Sequence, residues 1–204
     1  GTSPTANGDV GAGTWTPTSS NWVTGPDWAS EGVFQGGTAV FATTGGTVTI
    51  ANGPVSAARL SIQAANYVFS GSNIQNAATT GPLVITGTSE AFFLNRLVST
   101  TGITLTGTAP RMTLAAGADG DVTSEVAILS LGAGDNTTAG LSGTITGNVT
   151  LPGATGIVMV GSSSISGTVS LAGGANSWLA VGYTNPVSGA SNIIGRLPGT
   201  TVSN

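Results

Sequence analysis

The sequence predicts an all-β chain, a right-handed parallel β-helix (β-solenoid) with a Trp-rich segment at its N-terminal end. Three observations carry this expectation: a composition poor in helix formers, a repeat near twenty residues, and alternation of apolar and polar residues inside short segments. The composition comes first. Glycine occurs 33 times among abundant Thr, Ser, Ala, Val and Asn, there is no Lys, and Glu occurs only three times. Helices need side chains that lose little entropy on the helix and a polar face to solvate it. Thr and Val favour pleated strands, and Gly, Asn and Ser close turns. Charged residues are 6% of the chain, against about 25% in average globular proteins, while apolar residues are 39% and mean hydropathy is +0.30. Disordered chains show the opposite balance, so this chain folds.

The repeat is the second observation. Leu83-Val84-Ile85-Thr86-Gly87-Thr88 overlays Ile103-Thr104-Leu105-Thr106-Gly107-Thr108 at an offset of 20, with Thr-Gly-Thr recurring in register. Carried further, that offset sets Phe92 on Met112 and Leu94 on Leu114. Val149-Thr150-Leu151 overlays Val169-Ser170-Leu171 at the same offset, and Met159-Val160-Gly161 matches Leu179-Ala180-Val181-Gly182 with one residue inserted. Elsewhere the spacing drifts, to 19 from Ile50 to Phe69 and to 16 from Phe69 to Ile85. One coil of a β-helix cannot bury its apolar face alone, so coils stack and indels fall in the turns between strands. A β-sandwich or jelly roll also has many short strands, but it gives no reason for a repeat at this offset.

Alternation is the third. Val48 and Ile50 point opposite to Thr47 and Thr49, Leu60 and Ile62 opposite to Ser61, and Ile103 and Leu105 opposite to Thr104. Ile128 falls out of phase with Leu129 and Leu131, which predicts a bend. Gly45-Gly46, Asn52-Gly53 and Gly173-Gly174 mark turns. The predicted organisation is an N-terminal cap segment over residues 1–37 and a continuous β-helix over 38–204, of roughly eight coils. Trp15, Trp22 and Trp28 fall in the cap segment, where large aromatics would plug the first coil and shield its open ladder. Their alternative role is an aromatic platform for sugars.

The order Trp15, Asn21-Trp22, Trp28, Ala39-Val40-Phe41, Gly46 to Ile50, Leu60-Ser61-Ile62 and Tyr67 to Gly71 resembles the start of bacterial autotransporter passenger regions with autotransporter-associated β-strand repeats. The likeness covers about residues 15–75, and later coils share only its flavour. It implies a β-helical stalk, secreted or on the bacterial outer surface, with a part in adhesion or aggregation. The chain departs from that family in having no C-terminal translocator barrel of long amphipathic strands.

Chemistry is constrained by what the chain lacks. It has no His, Cys or Lys, which removes Ser-His-Asp and Cys-His pairs, lysine Schiff bases and His/Cys metal sites. No disulfide staples the fold. Net charge is −4 with four scattered arginines, so no basic patch awaits nucleic acid or an anionic membrane. No apolar run approaches the ~20 residues of a membrane-spanning helix, and no leader-like charged and apolar pair opens at Gly1. The acidic cluster is Asp119, Asp121, Glu125 and Asp135, with Arg111 one coil earlier. It lies in a Gly-rich turn that is poor at holding two carboxylates across a sugar, so no enzyme is expected. Asp119, Asp121 and Glu125 are candidate ligands for Ca²⁺, the one cofactor the chain could take, and a solvated acidic turn is the plain alternative.

Thr-x-Thr triplets at 47–49, 86–88, 104–106, 106–108 and 144–146 resemble the water-ordering ladders of ice-binding solenoids, but are offset from one another. Asn136-Thr137-Thr138 and Asn148-Val149-Thr150 fit the glycosylation sequon. The expected function is a non-catalytic, extracellular structural or adhesive protein, an adhesin-like passenger that meets a host or cell-surface glycan or protein. A glycan-binding module would need Trp178 and Tyr183 facing solvent. A subunit of a self-assembling extracellular fibre would need an open end, and Ile193, Ile194 and Leu197 are the residues expected to associate end to end.

Overall fold

The structure is a computed structural model and describes residues 12–20, 22–24, 30–42, 44–132, 141–153, 155–172, 178–183 and 202–203. Alternation dictates the strands, and stacking dictates the sheets. The first sheet stacks β1 (Gly13–Trp15), β5 (Thr47–Ile50), β8 (Tyr67–Gly71), β11 (Ala91–Phe93), β14 (Met112–Leu114), β17 (Ile128–Leu131), β20 (Gly156–Val160) and β23 (Trp178–Tyr183). The second stacks β4 (Thr38–Phe41), β7 (Arg59–Ile62), β10 (Leu83–Gly87), β13 (Ile103–Gly107), β16 (Val122–Ser124), β19 (Val149–Leu151), β22 (Val169–Leu171) and β24 (Val202–Ser203). The third stacks β6 (Val55–Ala57), β9 (Ile74–Asn76), β12 (Leu97–Val98), β15 (Gly117–Asp119), β18 (Thr144–Thr146) and β21 (Ser164–Ile165). Every pairing within these three sheets is parallel, and from β4 to β21 the chain visits the second, first and third sheets in that order on each circuit. The result is a parallel β-helix of about six turns, with no helix among the described residues. One antiparallel hairpin, β2 (Trp22–Thr24) with β3 (Ser30–Gly32), stands apart near the N-terminal end.

The core is a set of columns running along the axis. Leu83, Ile103, Val122, Val149 and Val169 form one, and Val48, Phe69, Phe93, Leu114, Leu131 and Met159 another. All of these are at most 1% exposed. Burial of each such side chain is worth roughly 1.5–3 kcal/mol, and the columns repeat it at every turn. Phe69 stacks on Phe93 with ring centroids 4.9 Å apart. At the N-terminal end the columns meet an aromatic cluster: Trp15 lies 4.9 Å from Trp22, and both rings pack against Phe34 and Phe41.

The expected stacking of 83–87 on 103–107 holds position by position, as does that of 149–151 on 169–171. Past the next corner the offset of 20 fails. Phe93, not Leu94, pairs with Leu114, and Phe92 pairs with Thr113 rather than Met112. The corner Thr108 to Arg111 is one residue longer than Thr88 to Glu90, and one residue of slip exchanges the inward and outward side chains. Val48 is the partner of Phe69, and Ile157 and Met159 are the partners of Leu179 and Val181. Phe69 and Ile85 lie in different sheets, so their spacing of 16 measures no repeat. Ile128 makes no bend: it begins a regular strand with an outward side chain, and Leu129 and Leu131 stay inside.

Candidate functional site

Several polar side chains at or beside the corners between sheets tie one turn to the next. Arg96 follows β11 and precedes β12, at the corner between the first and third sheets. Its Nε donates to Asp119 Oδ2 at 2.8 Å and its Nη2 to Oδ1 at 2.5 Å, a two-pronged ion pair with the following turn. Nη1 also donates to the Ala116 carbonyl at 2.9 Å, and Nη2 to Thr146 Oγ1 at 3.1 Å, a further turn along. One guanidinium thus spans three successive turns. The hydrogen bonds from Arg96 hold the Asp119 carboxyl below its ordinary range, helped by a bond from Thr146 and opposed by partial burial. The same pairing raises Arg96.

Asp121 begins a second tie, at the corner entering the second sheet. Its Oδ1 accepts from the Asn148 backbone N–H at 2.8 Å and from Asn148 Nδ2 at 3.1 Å. Asn148 Oδ1 in turn accepts from the Thr168 N–H at 2.9 Å, so three turns are again linked. Backbone bonds Val122 N–H to Asn148 carbonyl and Val149 N–H to Thr168 carbonyl run beside it. Glu125, at the far end of β16, accepts from Thr106 Oγ1 at 2.7 Å.

The three candidate Ca²⁺ ligands are therefore not brought together. Asp119 ends a strand of the third sheet, Asp121 opens the next corner and Glu125 leaves the second sheet, each with its own protein partners. Among the described residues no three acidic side chains group as a metal site. The arginine that meets this region is Arg96 and not Arg111, which is exposed. Asp135 lies outside the described residues. Arg96 and Asn148 escaped the sequence reading as partners. Their signal was a lone charge or amide about one turn from an Asp, as in the separations of 23 and 27 residues.

Trp15 and Trp22 are 1% and 0% exposed, so they do not form a sugar platform; Trp28 lies outside the described residues. A cavity of about 470 Å³ lies beside them, between Trp15, Pro17 and Phe34 on one side and Pro54, Val55 and Ala77 of the turns on the other. Among the described residues no charged side chain lines it. The side chains of Trp178 and Tyr183, the residues Ile193, Ile194 and Leu197, and the sequon at Asn136 also lie outside the described residues. The Thr-x-Thr triplets fall on different faces: 47–49 in the first sheet, 104–106 in the second and 144–146 in the third. What does align is one hydroxyl per turn, Thr104, Thr123, Thr150 and Ser170, on the outside of the second sheet. The sequon residue Asn148 is occupied by the tie to Asp121.

No protein family, curated protein or solved structure matches this chain.

Proposed function

We propose that this chain is a non-catalytic extracellular structural or adhesive protein, a β-helical stalk of the autotransporter-passenger kind at a bacterial surface. The observation that carries this reading is the use made of the polar groups. Arg96, Asp119, Asp121, Asn148 and Glu125 each bond to a neighbouring turn, which serves rigidity along the axis. The stretch that resembles passenger regions supports it too, since it supplies the buried Trp15 and Trp22 and the first turns of the solenoid. The chain displayed on a bacterial surface should retain cells on host-cell layers or on a glycan array, and antibody should reach it without permeabilisation. Release of oligosaccharide from those glycans, or no retention on any surface, would end this reading.

A further inference from the structure

We propose that Asn52-Gly53 is a spontaneous modification site, at which the asparagine side chain closes on the glycine nitrogen and is opened by water to isoaspartate or aspartate. The dipeptide lies in the corner between β5 and β6. Asn52 is exposed and has φ of 60°, a left-handed conformation that Asn adopts more readily than most residues. Gly53 follows with φ of +111°, and a Cβ there would meet open space, so its nitrogen is uncrowded. Among the described residues no hydrogen bond holds that nitrogen or the Asn52 side-chain amide. The other described asparagines each lack a requirement. Asn66 is the nearest match, exposed and with φ of 65°, but Tyr67 after it is fully buried and begins β8. Asn76 donates to Ser99 and Thr101 and accepts from the Ala78 N–H. Asn148 is held at both ends of its amide, by Asp121 and Thr168, and Asn95 is buried. The N–H that follows Asn73 donates to the Arg96 carbonyl at 3.0 Å.

The step needs only water. The Gly53 nitrogen gives its proton to hydroxide and bonds to the Asn52 side-chain carbonyl carbon. The bond from that carbon to Nδ2 breaks, and ammonia leaves with a proton from water. Water then opens the cyclic imide. Breaking the bond from nitrogen to the side-chain carbonyl gives aspartate; breaking the bond to the main-chain carbonyl gives isoaspartate, whose backbone runs through the side chain. One water is consumed and one ammonia released, with no change of oxidation state. The added backbone atom falls in a corner, where solenoids accommodate changes of length, so the β-helix persists. The new negative charge stands two residues from Pro54, which lines the cavity beside Trp15, and among the described residues no charged side chain lines that cavity. Each chain therefore gains charge at this corner with age, wherever it works.

The test is incubation of the full chain at mildly alkaline pH, folded and in parallel in urea. Conversion is followed by peptide mapping with fragmentation that separates isoaspartate from aspartate. The same dipeptide at Asn7-Gly8 lies outside the described residues and is mapped as a separate signal. Asn52 in the folded chain should convert within about threefold of its rate in urea, a difference smaller than one net hydrogen bond. Asn66, Asn76 and Asn148 in the folded chain should each be slower than Asn52 by about tenfold or more. Both isoaspartate and aspartate should appear, faster as pH rises. Asn52→Gly, which keeps the backbone angle without the amide, should abolish the signal and leave the circular dichroism spectrum unchanged. Gly53→Ala should slow conversion by crowding the nitrogen. Conversion of Asn52 in urea but not in the folded chain would overturn the proposal. So would equal rates at Asn52 and Asn66, or aspartate with no isoaspartate, which marks direct hydrolysis. If Gly53→Ala fails to fold, the comparison of folded and urea rates and of Asn52 with Asn66 decides alone.

Discussion

Arg96 grips the carboxylate of Asp119, one turn further along the solenoid, through two nitrogens at 2.8 and 2.5 Å. The pair is only partly covered, with side-chain exposures of 25% and 45%, so its Coulomb attraction is screened. The bonds to the Ala116 carbonyl and Thr146 add geometry that an isolated surface pair lacks. Arg96→Ala should cost about 1–2 kcal/mol in denaturant unfolding. Arg111→Ala, at an exposed position, should cost less than about 0.5 kcal/mol. Equal effects would refute the special place of Arg96.

The same pair sets a pH dependence. Asp119 is held below its ordinary carboxylate range in the folded chain, so the unfolded chain binds its proton first as pH falls. The stabilisation is complete above the unfolded carboxyl range, near pH ~4, and is lost as pH drops through the lower folded value. The melting temperature should fall on acidification in that window, and Asp119→Asn should show less of the fall. A parallel curve for the variant would remove Asp119 as the cause.

Gly107 sits on Gly87 with φ of +105°, and a Cβ there would lie 2.2 Å from the Gly87 carbonyl oxygen. Gly107→Ala should therefore destabilise by more than about 2 kcal/mol. Gly37→Ala meets open space at an exposed site and should stay within about 0.5 kcal/mol of the parent. Thermal melts of the two variants side by side test this.

Phe92 and Phe93 are neighbours with opposite fates. Phe93 is 0% exposed and stacked on Phe69, whereas Phe92 faces outward beside Val68 and Thr113. Phe93→Ala should cost about 3–5 kcal/mol and Phe92→Ala under about 1 kcal/mol. The reverse order would put the first sheet one residue out of register.

Trp22 is fully buried, and its ring touches Trp15, Phe34 and Phe41. Trp22→Ala should cost about 3–5 kcal/mol by opening the aromatic cluster. Among the described residues its buried indole N–H has no acceptor, so Trp22→Phe should cost much less than the alanine variant. Unchanged melting in Trp22→Ala with lost carbohydrate binding would assign the ring to ligand and not to packing.

The chain's composition and local pattern alone determined that it is built of short strands. The β-branched and apolar residues alternate within three to five positions, and this period of two belongs to each strand separately. Parallel stacking was legible too, because Leu83 over Ile103 and Val149 over Val169 share one turn length. Only the tertiary structure decided which neighbouring residue faces inward beyond a corner, as with Phe92 and Phe93. Corners vary in length without changing the apolar pattern, and one added residue exchanges the two faces. The fate of Asp119, Asp121 and Glu125 was likewise invisible in the sequence. Their nearness along the chain suggested a common ligand, but a corner and the strand β16 separate Asp119 from Glu125. Their partners Arg96, Asn148 and Thr106 come from adjacent turns, brought within bonding distance by the short spacing between stacked strands.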